Sequence, residues 1–177
     1  MKWLEHLFGG KNDMAALTAG TKAPDFSLAG IDGKKFTLQE ALQQGPVLAA
    51  FFKISCPVCQ YAFPFFERLY KAHGSKASFV AISQDNARDT AGFRKEFGIT
   101  FRTLLDDPNG YAASNAYGLT NVPTWFLIGQ DRTIELSSVG WSRKDVEDLN
   151  RRLAEIGKGP VGPLFHAGED VRDFRAG

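Results

Sequence analysis

The sequence predicts a three-layer α/β/α fold with a mixed central sheet and a β-hairpin extension at its N-terminal side. Three observations carry this. Strand and helix patterns follow one another as β-β, then β-α-β-α, then β-β-α. Parallel strands need crossover helices, and right-handed crossovers set those helices on the two faces of the sheet. The apolar run from Val47 to Phe52 reads as a central strand buried on both sides. Finally, 177 residues with 23% charged side chains and 15 Phe suit one compact domain with a sizeable core.

Taken in order, Pro24-Asp25-Phe26-Ser27-Leu28 and Lys35-Phe36-Thr37-Leu38 alternate around Asp32-Gly33, a hairpin signal. Leu38 to Gln44 predicts one or two helical turns, ended by Gly45-Pro46. After the central strand, Tyr61, Phe65, Phe66, Leu69 and Tyr70 mark a helix that Gly74 ends. Pro64 lies inside it and is expected to kink it, because proline removes one backbone bond and crowds the previous turn. Ser78 to Ser83 is a buried strand with Gln84-Asp85 at its carboxyl end. Ala87 to Phe97 is a helix stopped by Gly98, and Arg102 to Leu105 a short strand closed by the turn cluster Asp106 to Gly110. Tyr111 to Tyr117 is a short helix, Trp125 to Ile128 and Thr133 to Val139 are strands, and Ser142 opens a last helix that Gly157 stops.

Residues 1–20 are expected to be a loosely structured leader, in which Trp3, Leu4, Leu7 and Phe8 form one short amphipathic turn. Residues 21–157 form the domain, and 158–177 a Gly/Pro-rich tail, extended or disordered. The formal charge of +1 and the lack of any basic run argue against a nucleic-acid surface. No apolar stretch reaches the roughly 20 residues of a membrane span. Glu5 and His6 interrupt the apolar start, so it does not read as a signal peptide and a cytoplasmic location is expected. The alternative is a periplasmic or tethered protein whose leader has been removed.

The chemistry sits at Cys56-Pro57-Val58-Cys59, where the central strand hands over to a helix. The unpaired N–H groups and positive end of a helix favour a thiolate, the nucleophilic form of cysteine. Cys56, just before the helix, should feel this most and be the more acidic thiol. Cys59, one turn on, is placed to close a disulfide with it. No other cysteine is present, and His6, His73 and His166 are scattered, so no second ligand pair for zinc is found and no metal is expected. Two merely buried cysteines would be the bland alternative; the strand-to-helix setting weighs against it.

Together these features resemble the thioredoxin fold, and more closely the redoxin group. The resemblance rests on Pro24-Asp25-Phe26 ahead of the hairpin, Cys56-Pro57-Val58-Cys59 after an aromatic strand, and Val122-Pro123-Thr124 before the next strand. It implies a thiol–disulfide oxidoreductase with no cofactor beyond a Cys56–Cys59 disulfide. It also implies a cis bond at Pro123 beside the sulfurs, with Val122 presenting its backbone to a substrate chain. Pro57 and Val58 would tune the reduction potential. The implied partners are a substrate protein or small disulfide and a reductant of the thioredoxin or glutathione type.

There are departures. The acid that thioredoxins place six residues before the first cysteine falls on Ala50, and the one that cytochrome-maturation reductases place six residues after it falls on Ala62. Lys53, Asp85 or a water could substitute in proton handling, and an ammonium from Lys53 within about 4–6 Å would favour a Cys56 thiolate. Two other functions stay open. A peroxiredoxin-like peroxidase would use Cys59, but Phe52 and Cys56 then replace the expected proline and threonine, and no arginine stands near Val122-Pro123. A non-catalytic binding module would use Phe63, Phe65, Trp125 and Trp141 as an apolar surface.

Overall fold

The computed structural model describes residues 15–106 and 110–177. Its elements in order are β1 (Ser27–Gly30), β2 (Lys35–Thr37), α1 (Leu38–Gln44), β3 (Val47–Phe52), α2 (Pro57–His73), β4 (Ser78–Ser83), α3 (Ala87–Phe97), β5 (Arg102–Leu105), α4 (Ala112–Ala116), β6 (Thr124–Ile128), β7 (Ile134–Val139), β8 (Trp141–Ser142), α5 (Arg143–Ile156) and β9 (Phe174–Arg175). Seven strands form one sheet in the order β2-β1-β5-β4-β3-β6-β7. β3, β4 and β5 run parallel, and the pairs β1–β2, β1–β5, β3–β6 and β6–β7 are antiparallel.

β3 shows why its sequence is apolar throughout. Leu48, Ala50 and Phe52 enter a core built with α2 and α5, whereas Val47, Ala49 and Phe51 enter a second core with Leu38, Leu42 and Tyr117. Alternate side chains of a strand point to opposite faces, so a strand covered on both sides has no polar position. β6 does the same, with Trp125 and Leu127 on one side and Phe126 and Ile128 on the other.

The helices are capped by side chains that accept a free N–H of the first turn. Thr37 caps α1, Asn86 caps α3 and Ser142 caps α5, bonding the N–H of Glu40, Asp89 and Asp145. α2 continues through Pro64 as a single helix to His73. The sheet's rims are short or covered: β2 has three residues, and beside β7 Lys22 bridges to Thr133.

Two sequence expectations change here. Residues 15–20 are not loose: the Leu17 N–H donates to the Tyr117 carbonyl and that of Gly20 to the Ile134 carbonyl. The amphipathic turn at Trp3 to Phe8, and Asp107 to Asn109 of the turn cluster, lie outside the described residues. The tail is extended but not disordered. Leu164 and Val171 are buried in the α2–α5 core, and β9 pairs antiparallel with β8. Such anchors are single apolar residues without a period, so no pattern announced them.

Candidate active site

Two strand pairings bring the site together. β3 runs antiparallel to β6 with Phe51 opposite Thr124, so the segment before β6, Val122-Pro123, lies beside the loop that follows β3. β3 runs parallel to β4 with Phe52 opposite Ser83, so Asp85 arrives alongside Ile54. The peptide bond between Val122 and Pro123 is cis.

Cys56 is the N-cap of α2, and Pro57 fills the first helical position, where the missing N–H costs nothing. The Cys56 sulfur accepts the N–H of Cys59 at 3.2 Å, taking the place a serine oxygen takes in other caps. In its thiol form the same sulfur donates to the Val122 carbonyl at 3.3 Å. The two contacts hold the sulfur between the first turn of α2 and the segment before β6. Both cysteines carry free thiols, Cys56 half-buried and Cys59 buried.

Cys59 sits among Phe52, Ala62 and Phe63 with none of its surface exposed. Burial pushes its thiol far above the usual cysteine range, and the nearby Cys56 sulfur and Asp85 carboxylate push the same way, against a backbone group of Lys53. Ala50 and Ala62, the two positions at which the resemblance leads one to look for an acid, are buried and apolar.

Asp85 is half-buried and accepts the Ile54 N–H at 2.8 Å, which ties the loop between β3 and α2 to the end of β4. Gln60 closes the same loop by donating its Nε2 to the Ile54 carbonyl at 2.9 Å. Nothing in the sequence separates Gln60 from any polar helix residue. Lys53 is brought to the site through its backbone rather than its ammonium. Its carbonyl accepts the Cys56 N–H at 3.2 Å, while its side chain is exposed and, among the described residues, makes no hydrogen bond or ion pair to the site. A strand-end lysine gains more from solvation than from approaching a buried pair. Val58 is buried at the base of the first turn, and Pro57 is exposed beside the sulfur.

The aromatic surface of a binding module is not formed. Phe63, Phe65, Trp125 and Trp141 are at most 6% exposed and belong to the core. Nor is Cys59 placed as a peroxidatic thiol, which needs both solvent access and thiolate character. A cavity of about 680 Å³ lies at the other end of α2, among Arg68, His73, Lys76, Asn150 and Pro160, away from both sulfurs.

Residues 18–153 match the family model described as Redoxin. The chain is 30% identical over 133 residues to the thioredoxin-like protein YneN of Bacillus subtilis, covering 72% of this chain and 76% of that one. It is 27% identical over 146 residues to the thiol-disulfide oxidoreductase ResA of Geobacillus thermodenitrificans, 81% of each chain. Among solved structures it is similar to a thiol:disulfide interchange protein DsbE from Chlorobium tepidum. That match has a TM-score of 0.70 and 28% identity, and spans 80% of this chain and 99% of the other.

Proposed function

This chain belongs to the redoxin family, as a thiol–disulfide oxidoreductase of the thioredoxin-like type, and from that premise we propose that Cys56 is its attacking thiol and Cys59 its resolving thiol. The observation that carries the reading is the asymmetry of the pair. One sulfur caps a helix within reach of solvent, and the other is sealed in the core. A disulfide substrate can meet only the first.

In the reducing direction the Cys56 thiolate attacks one sulfur of the substrate disulfide. A Cys56–substrate bond forms, the substrate S–S bond breaks, and the leaving thiolate takes a proton from water. Cys59 then loses its proton and attacks the Cys56 sulfur. The second substrate sulfur departs as a thiolate and takes its proton from water, and the Cys56–Cys59 disulfide holds the oxidising equivalents of the one that was reduced. Two electrons and two protons have passed to the substrate. The redox group is the cysteine pair itself. Cys59 must give up a proton that its surroundings hold strongly, and we assign the Asp85 carboxylate as the acceptor. Val122 supplies the backbone along which the substrate chain lies, with Pro123 as its wall.

The substrate is a protein disulfide, and the reductant that restores the dithiol is of the thioredoxin or glutathione type. No helix among the described residues is long and apolar enough to cross a membrane. We place the protein in the cytoplasm, where glutathione and thioredoxin keep thiols reduced. Acid-quench alkylation of cells finding the pair oxidised would move it to a periplasmic or tethered setting.

Insulin reduction driven by dithiothreitol tests the assignment. Cys56→Ser is expected to bring the rate to background. Cys59→Ser is expected to accumulate a Cys56 mixed disulfide visible by mass spectrometry. A Cys56→Ser protein that works at the wild-type rate would remove the reading.

A further inference from the structure

After α5 the chain doubles back over α2, and its hold on the body weakens along its length. The Arg68 guanidinium grips both oxygens of Glu169, at 2.8 and 2.7 Å. Val171 is buried. The Arg172 carbonyl accepts from Trp141 Nε1 at 2.6 Å, and its N–H donates to the Tyr61 hydroxyl at 2.9 Å. The Asp173 carbonyl accepts the Arg143 N–H at 2.9 Å, and beyond it the contacts are lighter. Phe174 and Arg175 pair with the two residues of β8, and the Arg175 guanidinium lies 5.1 Å over the Tyr61 ring. Phe174 is 65% exposed.

The segment then reaches the Val122 backbone. A side-chain carbon on Gly177 would stand 2.7 Å from the Val122 carbonyl oxygen, the same oxygen that lies 3.3 Å from the Cys56 sulfur. Asn121 Nδ2 donates to the Gly177 carbonyl at 2.9 Å. Where the segment crosses Gly140, φ is +75°, and an added Cβ would fall 2.6 Å from the Arg175 carbonyl and 2.8 Å from the Gly177 nitrogen. At both crossings backbone rests on backbone, an approach that only glycine permits.

We infer that residues 174–177 are a displaceable cover over the Val122 backbone, so that a protein disulfide must lift them to reach Cys56 whereas a small disulfide need not. This rests on the assignment of Cys56 as the attacking thiol. The segment has a firm base at 169–172 and a light tip, which lets the tip lift without unfolding the domain. A chain that binds only the lifted form pays for the covered fraction in apparent affinity.

The test compares insulin with hydroxyethyl disulfide, using wild type, a chain ending at Asp173, and full-length Arg175→Ala. Both variants keep Val171 and the Arg172 contacts with Trp141 and Tyr61, and unchanged urea midpoints establish that they fold. With the cover gone, the chain ending at Asp173 is expected to reduce insulin about three- to tenfold faster, with hydroxyethyl disulfide changed less than about twofold. Arg175→Ala, which loses only the stacking on Tyr61, moves the same way by less. Equal acceleration on both substrates, no change on insulin, or slower insulin reduction each overturns the cover. If the shortened chain does not fold, Arg175→Ala decides by the same criteria. Wild type that reduces insulin while the variants match it removes the cover and leaves the Cys56 assignment standing. Loss of that assignment shows separately, as wild type and Cys56→Ser having equal rates.

Discussion

At the residue scale, two cysteines three positions apart end in opposite environments because one precedes the helix and the other faces its core. That much is legible in the sequence: the spacing, the strand ahead and the helical pattern behind. What is not legible is the wiring around them. Asp85 stands out in the sequence only as a carboxylate at a strand end. Its bond to the Ile54 N–H depends on the register of β3 with β4. Lys53 reads as a cation near a thiolate and serves instead by its carbonyl, because side-chain direction at a strand end is set by solvation. The assignment of Asp85 as acceptor has a clean test, since Asn keeps an oxygen for Ile54 but cannot take a proton. Asp85→Asn is expected to leave the attack by Cys56 on hydroxyethyl disulfide unchanged. It should slow decay of the mixed disulfide by about 10²-fold, the lower range for a lost general base. Stopped-flow with acid quench separates the two steps. Faster decay would mean that the carboxylate acts only by opposing the Cys59 thiolate.

At the scale of elements, the sequence foretells most starts and stops, because caps and stops are local chemistry. Ser142 and Gly157 bracket α5, and Gly98 ends α3. The tail is the element it does not foretell. Its structure comes from isolated long-range partners, Arg68 with Glu169 and Trp141 with Arg172, and those have no period. Arg68, together with the His166 N–H, holds the Glu169 carboxyl down at about 2, below the usual carboxylate range. A carboxyl depressed in the folded state contributes stability that is present above its ordinary pKa, about 4.3, and is lost as pH falls toward the folded value. The pair is about a quarter exposed, so solvent screens it and the effect is local. Amides 169–175 are expected to exchange faster, relative to those of β3, at pH 3 than at pH 6 after correction for intrinsic rates. Glu169→Gln should show the faster exchange already at pH 6. Equal protection at both pH values would mean that the buried Leu164 and Val171 hold the strap without the ion pair.

For the molecule as a whole, the sheet separates two cores, and a weak acid is sealed in its neutral form on each side. Cys59 lies on the α2 side, and Tyr117, whose hydroxyl donates to the Pro24 carbonyl at 2.7 Å, on the other. Burial raises both above their ordinary ranges. A raised pKa in the folded state means stability that is complete below the unfolded value and is lost as pH rises beyond it. The unfolded chain begins to release these protons near 8.5 for the thiol and 10 for the phenol. Urea unfolding of the reduced protein is therefore expected to weaken above pH 8.5 by up to about 1.4 kcal/mol per pH unit for each group. Cys59→Ala should flatten the first part of the fall and Tyr117→Phe the second. Slopes identical to wild type in both variants would show that other groups govern alkaline unfolding. The two-sided sheet itself is readable in the unbroken apolar run of β3; which residues share a side follows from alternation once its ends are known.

The rims of that sheet have a consequence for the protein in a crowded solution. An unpaired strand edge is a template onto which another chain can add, and from which fibrillar growth can start. Here one rim is only three residues long and runs directly into α1, and the other is met by Lys22, whose ammonium bonds the Asp131 carbonyl and the Thr133 hydroxyl. A rim of three residues, and one whose first residues are already paired by the segment around Lys22, give a second molecule less to extend, a protection that matters for a chain with 15 Phe to expose when unfolded.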